Sequence, residues 1–186
     1  MLSFYLKFLS EKIQVKLFEK TINDVNHFFE RFSLNIVIVK NQFIPRQGKK
    51  ITEEIYRPVL EFLGDKKWEE VNRELGDAFK KYQENTPQGY STAITHVIAS
   101  AEAFLQILMY GEARKGGAFQ ILINKARKDD FIPDNKFTKN IGSIFGNKRG
   151  IYGDGHPKKE YGTEEEARLT LNLVMVFLQY CIQHKQ

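Results

Sequence analysis

Cysteine is almost absent from this sequence. The 186 residues include one cysteine, Cys181, so no disulfide can form within the chain. A chain of this length can bury a sizeable hydrophobic core without disulfides, and a reducing compartment is the natural expectation. Cys181 falls in a strongly apolar stretch near the C-terminus, which predicts a buried small hydrophobe rather than a reactive thiol.

Long apolar runs are also missing, and none is expected to span a bilayer. Residues 1–10 are apolar, but Lys7 interrupts them, and neither a basic segment nor a small-residue cleavage site flanks them. These absences predict a cytoplasmic protein with no signal peptide and no membrane partner. The hydrophobic share of 42% and the charged share of 27% are those of a globular chain, so one domain, with or without an arm, is expected.

Several catalytic signatures have no counterpart in the chain. There is no Gly-Lys-Ser/Thr phosphate loop and no nucleophile elbow. No group of His, Cys, Asp and Glu has the spacing of metal ligands, since Asp154 and His156 alone make a weak pair. The sequence therefore predicts neither a metal nor another cofactor.

Positive charge is concentrated in one part of the chain. Residues 114–159 hold eleven basic and four acidic residues and carry +7, so the remainder of a chain with net charge +5 carries −2. The basic residues are Arg114, Lys115, Lys125, Arg127, Lys128, Lys136, Lys139, Lys148, Arg149, Lys158 and Lys159. This basic window suits a polyanion such as nucleic acid, although a solvated lysine-rich surface has the same composition.

Apolar spacing predicts helices along most of the chain. A long amphipathic helix is expected over residues 4–32, followed by a short β-branched run and a domain boundary near residue 50. Further helices are expected over 52–63, from Asp65 as N-cap to 84, over 89–110 and 118–128, and from about 133. The pattern predicts an all-α bundle at 51–186 with an N-terminal amphipathic helical arm and connector at 1–50.

The clearest helix start lies near the C-terminus. Thr163 and Glu166 form a Thr-x-x-Glu capping box before an apolar run that reaches residue 182. Residues 146–157, just before it, contain four glycines and a proline, too many for a regular helix. We therefore expect a loop there, and a glycine-rich loop that carries Arg, Asp and His is a common place for chemistry.

His156 stands apart from the other histidines. His27, His96 and His184 fall in predicted helices or the tail, where a packed or solvated imidazole is expected, whereas His156 lies seven residues after Arg149 in the loop. RNA cleavage needs a group that moves protons near neutral pH and a cation for the phosphate, and imidazole and guanidinium suit these roles. Because one histidine hardly serves as both base and acid, two loops in a symmetric dimer are expected.

The segment from Arg149 to His156 also carries a resemblance to a known family. The run Arg149-Gly-Ile-Tyr-Gly-Asp-Gly-His156, followed by Thr163-Glu-Glu-Glu-Ala-Arg-Leu and an apolar helix, resembles the C-terminal domain of bacterial abortive-infection proteins, which belongs to the HEPN superfamily. The similarity covers roughly residues 55–182. Its earlier part rests on Val59-Leu-Glu-Phe-Leu, Trp68 through Tyr82, Ala93-Ile-Thr and Ala101-Glu-Ala-Phe-Leu.

This resemblance implies a HEPN-like helical bundle, a homodimer with facing Arg/His motifs, and a metal-independent endoribonuclease. Such domains typically act as toxins in phage defence, which implies an antitoxin or another regulatory protein as a partner. Arg149 and His156 would be the catalytic pair. Asp154 and Tyr152 would hold the histidine or touch the substrate. Glu102 matches an acidic position on the family's long helix, where it either faces the loop or lies on the surface.

Lysines near the pair complete the predicted site. Lys148, Lys158 and Lys159 are the candidate RNA-binding cations. Two positions depart from the family pattern, because Gly150 stands where an asparagine often follows the arginine and Pro157 stands where a glycine follows the histidine.

Two alternatives remain open from the residues alone. The first is a noncatalytic HEPN-like module that binds RNA, a nucleotide or a partner protein through the basic window. In the second, Arg149 caps the preceding helix and His156 only fixes the loop through hydrogen bonds.

Overall fold

The computed structural model describes residues 15–114, 117–152 and 161–184. The chain divides into two compact units, residues 1–57 and 58–186. The division lies between Arg57 and Pro58, a few residues after the boundary that the sequence predicts near residue 50.

In the first unit, an amphipathic helix is followed by a β-hairpin. Helix α1 spans Val15–Arg31, strand β1 spans Ile36–Val39 and strand β2 spans Gln42–Pro45, and the two strands pair antiparallel. The side chain of Asn26 joins helix and hairpin, because its amide donates to the Ile38 carbonyl at 2.8 Å and its oxygen accepts from the Ile38 amide at 2.7 Å. The described part of the helix predicted over 4–32 is therefore helical, and the β-branched run forms a strand.

A continuous helical segment follows the hairpin. It consists of α2, Lys49–Ile51, a π-helical turn at Thr52–Tyr56, and α3, Arg57–Phe62. It ends just before Gly64, whose amide donates to the Glu61 carbonyl at 3.1 Å. The helix predicted over 52–63 is present, and its first turn is wound more loosely than an α-helix.

The second unit is built from helices. After a 3-10 turn at Lys66–Trp68 come α4, Glu69–Gln83; α5, Pro87–Tyr110; α6, Phe119–Lys128; α7, Lys136–Tyr152; and α8, Glu164–Gln183. Within the described ranges the hairpin is the only sheet. The expected all-α class is confirmed.

Helix α5 is the centre of the second unit and contacts α4, α6, α7 and α8. Thr86 caps its N-terminus by accepting from the Gly89 amide at 3.0 Å, with Pro87 in the first position, and Gly111 ends it with a φ of 82°. By length and composition α5 could cross a membrane, so the expectation that no segment is long and apolar enough was wrong. However, 67% of its most apolar 18-residue window is buried inside the structure. A helix that other helices surround is apolar on most faces, so this apolar composition is that of a core helix.

Three phenylalanines join α6, α7 and α8. Phe119, Phe145 and Phe177 are fully buried, and their ring centroids lie 5.1–6.2 Å apart in tilted or edge-on pairs. Beside them Gly142 lets α6 and α7 approach closely, since a Cβ there would lie 3.0 Å from atoms of Gln120 and Ile123. This aromatic cluster fixes α7 against its neighbours.

The glycine-rich segment differs from its prediction. The expected loop over 146–157 is wrong for its first seven residues, because α7 continues through Gly146 and Gly150 to Tyr152. Each glycine costs a helix only about 1 kcal/mol relative to alanine. Burial of Phe145 and Tyr152 on the same helix outweighs that cost.

The predicted caps of two helices have different outcomes. On α8 the capping box is complete, since the Thr163 amide donates to Glu166 Oε2 at 3.2 Å and the Glu166 amide donates to Thr163 Oγ1 at 3.3 Å. Asp65 precedes the 3-10 turn as expected, but its side chain makes no capping hydrogen bond. Cys181 is buried on α8, and this burial raises the pKa of its thiol, as expected of a packed cysteine.

Candidate functional site

Four of the predicted site residues can be placed in the structure. Lys148, Arg149 and Tyr152 lie in the last turns of α7, and Glu102 lies in the second half of α5. The remaining predicted site residues lie outside the described ranges: Asp154, His156, Lys158 and Lys159. Arg149 is therefore on a helix, not on the loop that the sequence suggested.

Arg149 is joined to Glu102. Arg149 Nη1 donates a hydrogen bond to Glu102 Oε2 across the α5–α7 contact. The Glu102 side chain is only 9% exposed, whereas that of Arg149 is 39% exposed. The open question about Glu102 is thus answered, because it is a buried carboxylate that faces Arg149 and not a surface residue. The guanidinium is held on one side and open to solvent on the other.

Burial dominates the electrostatics of Glu102. Desolvation raises the pKa of its carboxyl group, while the charge and hydrogen bond of Arg149 and the nearby Phe119 amide act to lower it. Oε1 nevertheless makes no hydrogen bond of standard geometry to any described residue. Phe119 is the first residue of α6. The Glu102 carboxylate therefore lies between the Arg149 side chain of α7 and the N-terminus of α6, which carries a partial positive charge.

A polar cavity of about 350 Å³ opens beside this pair. Side chains from α4, α5 and α7 line it together with the chain between α5 and α6. Its charged and amide-bearing lining residues are Glu70, Glu74, Glu102, Gln106, Arg114 and Arg149. The lining therefore combines three carboxylates with two guanidinium groups.

Arg114 is held at the wall of this cavity. Its backbone amide donates to Gln106 Oε1 at 2.8 Å, and its guanidinium carbon lies 4.2 Å from the centre of the Tyr110 ring. A cation over an aromatic face is stabilised by the ring quadrupole. The second guanidinium of the cavity is thus positioned by its own contacts with α5.

Tyr152 is tied to the start of α8. Its hydroxyl donates to Glu166 Oε2 at 2.6 Å, and this hydrogen bond is the largest cause that lowers the pKa of Glu166. The ammonium group of Lys148 lies 5.8 Å from the centre of the Tyr152 ring. The partner of the Tyr152 hydroxyl is thus a residue of the capping box, and its role toward His156 or a substrate stays a prediction.

Helix α5 also holds the residues on either side of 153–160. Thr95 Oγ1 donates to the Tyr152 carbonyl at 3.1 Å, and the Gly162 amide donates to Ser91 Oγ at 2.7 Å. Ser91 and Thr95 are one helical turn apart. The end of α7 and the residue before α8's N-cap are therefore bound to α5 within one helical turn of each other.

Glu74, which lines the cavity, forms a carboxylate–imidazole pair with His96, and no sequence pattern predicts this pair. His96 Nδ1 lies 2.7 Å from Glu74 Oε2, and the side chains are 31% and 17% exposed. The hydrogen bond to His96 is the largest cause that lowers the pKa of Glu74, which therefore remains ionised. The sequence predicts a packed or solvated imidazole for His96, and the structure shows a partly buried one that contacts a carboxylate 22 residues away on α4.

Three basic residues of the window form ion pairs with acids of the same window. Lys125 pairs with Asp129 at 2.6 Å, and Asp134 accepts from Arg127 at 2.6 Å and lies 3.5 Å from Lys139. These exposed pairs are weak individually. They show that Lys125, Arg127 and Lys139 are paired with acids that the window's net charge of +7 already counts.

The described residues contain no group of three or more His, Cys, Asp and Glu side chains that could hold a metal ion. No protein-family model, curated protein or solved structure matches the chain. The described side chains at and next to the cavity offer a fixed guanidinium, a buried carboxylate and a hydrogen-bonded carboxylate–imidazole pair.

Replacement of Glu102 by glutamine should stabilise the protein at neutral pH. Because burial raises the pKa of Glu102 above its ordinary value of 4.5, its contribution to stability is present below that pH and is lost as the pH rises through the folded-state pKa. At pH 7 we expect Glu102→Gln to melt about 2–4 °C above the parent, the shift that corresponds to roughly 1 kcal/mol. At pH 4 the difference should disappear in the same calorimetric measurement.

Glu70→Gln is the matched control, since Glu70 lines the same cavity with a side chain that is 37% exposed. Its melting temperature should stay close to that of the parent at both pH values. A gain for Glu102→Gln that is equal at pH 4 and pH 7, or a loss at pH 7, would contradict the burial of a charged carboxylate.

Proposed function

We propose that this chain is a metal-independent endoribonuclease of the HEPN, abortive-infection type. Arg149 stabilises the charge that develops on the phosphate, and His156 takes part in proton transfer. In this proposal the chain acts as a toxin in phage defence, forms a two-fold homodimer and is controlled by a regulatory protein.

The observation that carries the proposal is the Arg149–Glu102 pair at the edge of a polar cavity. A guanidinium that a buried carboxylate already holds needs little reorganisation when negative charge develops beside it. Arginine has five N–H donors in a rigid fork, so one hydrogen bond to Glu102 leaves donors that suit phosphate oxygens. Its 39% exposure allows a substrate to reach those donors.

Tyr152, four residues before His156, is also held beside Arg149. His156 follows Tyr152 by four residues, and Tyr152 is bonded through its carbonyl to Thr95 and through its hydroxyl to Glu166. Tyr152 is three residues after Arg149 on the same helix. The stretch that contains His156 therefore starts close to the arginine, as catalysis by the two residues requires.

A noncatalytic binding module is the second candidate, and the cavity favours it. A volume of about 350 Å³ lies in the range of small-molecule sites, and carboxylates and guanidinium groups both line it. Such a site suits a nucleotide or another ligand with donors as well as acceptors. This candidate predicts binding that weakens with salt, without cleavage.

The experiment that tests the proposal is incubation of the purified protein with total cellular RNA in EDTA, followed by a denaturing gel. We expect cleavage by the parent and a loss of at least about 100-fold in His156→Ala, which is the usual contribution of a proton-transfer group. His27→Ala serves as the control because His27 is an exposed histidine of α1.

Circular dichroism must show that His156→Ala remains folded. A folded His156→Ala protein that cuts RNA as fast as the parent would refute the proposed role of His156. Binding of RNA by the parent without any cleavage would favour the module.

A further inference from the structure

The cavity beside Arg149 has a lining that suits an uncharged ring better than a phosphate. Carboxylates outnumber guanidinium groups on its walls. A phosphate inside the cavity would face these carboxylates, and like charges in a confined site repel each other. A nucleobase has no charge and carries both hydrogen-bond donors and acceptors. The cavity of about 350 Å³ has room for a ligand of this size.

Two carboxylates meet at one end of the cavity. Helices α4 and α5 form an antiparallel hairpin, and the contact between Glu74 and His96 sets their register. Glu70, one turn before Glu74, therefore lies close to the level of Glu102. Glu102 Oε1 is buried and makes no hydrogen bond of standard geometry to a described residue, while the Glu70 side chain is 37% exposed. This end of the cavity favours a ligand edge that carries N–H donors.

Arg114 brings N–H donors to the cavity from another side. Its backbone amide is bound by Gln106, one helical turn after Glu102, and its guanidinium lies over the Tyr110 ring at 4.2 Å. The Arg114 side chain is 54% exposed, and its Nε lies 3.5 Å from Glu112, a contact that does not engage the two Nη groups. A guanidinium fork suits a ligand edge with two adjacent acceptors.

Among the four RNA bases, guanine is the one that has both edges. Its N1–H and N2–H groups are adjacent donors that a carboxylate can accept, and its O6 and N7 are adjacent acceptors that an arginine binds with two hydrogen bonds. Adenine and cytosine carry an acceptor beside their amino group, and uracil has one N–H between two carbonyl oxygens. Such an acceptor would face a carboxylate oxygen, which has no proton to donate.

We propose that this cavity is the base-recognition pocket of the site and that it selects guanine. Arg114 donates to O6 and N7, and the carboxylates of Glu70 and Glu102 accept from N1–H and N2–H. The neighbouring phosphate stays at the edge of the cavity, where Arg149 is 39% exposed. The inference rests on the proposed endoribonuclease function, because it names the base beside which the RNA is cut.

Cleavage of a random-sequence RNA pool, followed by sequencing of the cut ends, tests the preference. We expect guanine to be enriched at one fixed position beside the cut. Oligonucleotides that differ only at that position then give kcat/KM for each base. Because one bidentate pair separates the right base from a wrong one by roughly 5- to 150-fold, guanine should exceed each other base by at least about 10-fold.

Two guanine analogues assign the two edges. Inosine lacks the 2-amino group, and 7-deazaguanosine lacks the N7 acceptor, so the parent should cleave each roughly 10-fold more slowly than guanosine. Arg114→Ala should lose the difference between guanosine and 7-deazaguanosine but keep the effect of inosine. Glu70→Gln should show the opposite pattern. A purely structural role of either residue would not produce this crosswise loss.

Arg168→Ala is the matched control, since Arg168 is 52% exposed on α8 and does not line the cavity. It should keep the base preference of the parent. Circular dichroism checks the fold of each variant. The ratio of rates on two substrates within one variant does not depend on the fraction of active protein, so a partly unfolded variant does not imitate a loss of preference.

Equal kcat/KM of the parent on the four bases, or a preference for another base, would overturn the inference and leave the proposed function intact. A guanine preference that Arg114→Ala and Glu70→Gln both leave unchanged would also overturn it, since recognition would lie outside this cavity. If the parent cleaves no RNA, the proposed function fails, and equilibrium binding of the same oligonucleotides decides the inference. Guanine-specific binding that Arg114→Ala abolishes would support it, and equal binding of all four bases would overturn it.

Discussion

Under the proposed function, we expect Arg149→Ala to cleave RNA about 10²–10³-fold more slowly than the parent, the loss that follows removal of one fixed donor to a developing negative charge. The hydrogen bond to Glu102 fixes the position of this guanidinium. Arg149→Lys should recover only part of the rate, because an ammonium keeps the charge but lacks the planar fork. Single-turnover cleavage of a defined RNA measures both variants.

The same substitution also affects stability, and this effect must be separated from catalysis. Without Arg149, the Glu102 carboxylate remains buried with no counter-charge, which costs about 1–3 kcal/mol at neutral pH. The double variant Arg149→Ala/Glu102→Gln removes that buried charge. We therefore expect it to regain the melting temperature of the parent while its cleavage stays slow.

Recovery of cleavage together with stability in the double variant would contradict a direct role of Arg149 at the phosphate. It would show that Arg149 serves only to neutralise Glu102. Cleavage at the parent rate by Arg149→Ala itself would also contradict a direct role of Arg149 at the phosphate.

Phe145→Ala should have the largest effect on stability. Phe145 is fully buried against Phe119 and Phe177, and the loss of a phenylalanine from a packed core costs about 3–5 kcal/mol. We expect the melting temperature to fall by roughly 10 °C. Urea titration followed by circular dichroism would give the corresponding change in the free energy of unfolding.

Ile151→Ala is the matched control on the same helix, since Ile151 is 59% exposed. It should change the free energy of unfolding by no more than about 0.5 kcal/mol. Phe145 lies one turn before Arg149 on the same helix. The milder variant Phe145→Leu should shift α7, and with it Arg149, relative to Glu102. We therefore expect Phe145→Leu to slow cleavage even under conditions in which the variant is fully folded. A cost below about 1 kcal/mol for Phe145→Ala would mean that the aromatic cluster does not hold α7 in place.

The parts of the fold that depend on local signals could be predicted from the sequence. The capping box of Thr163 and Glu166 and the helices that it and Pro87 begin follow from residues a few positions apart. The end of α7 could not be predicted in this way. Its glycines indicate a loop, whereas burial of Phe145 and Tyr152 in tertiary contacts keeps the helix intact.

The candidate site shows the same limit. The family resemblance pointed to Arg149 and Glu102, but only the packing of α5 on α7 decides that the carboxylate is buried against the guanidinium. The contact between Glu74 and His96 joins two helices and leaves no periodic or spacing signal in the sequence. The position of His156 relative to Arg149 stays a prediction.

The two hydrogen bonds that α5 makes to Tyr152 and Gly162 bear on how such a domain can evolve. Neither hydrogen bond uses an atom of residues 153–160, so an insertion there removes no partner of either attachment. Closing a longer stretch is thermodynamically cheap, since each doubling of its length costs only about 0.6 kcal/mol. We therefore expect the number of residues between Arg149 and His156 to vary among descendants of this sequence more readily than the helical core does.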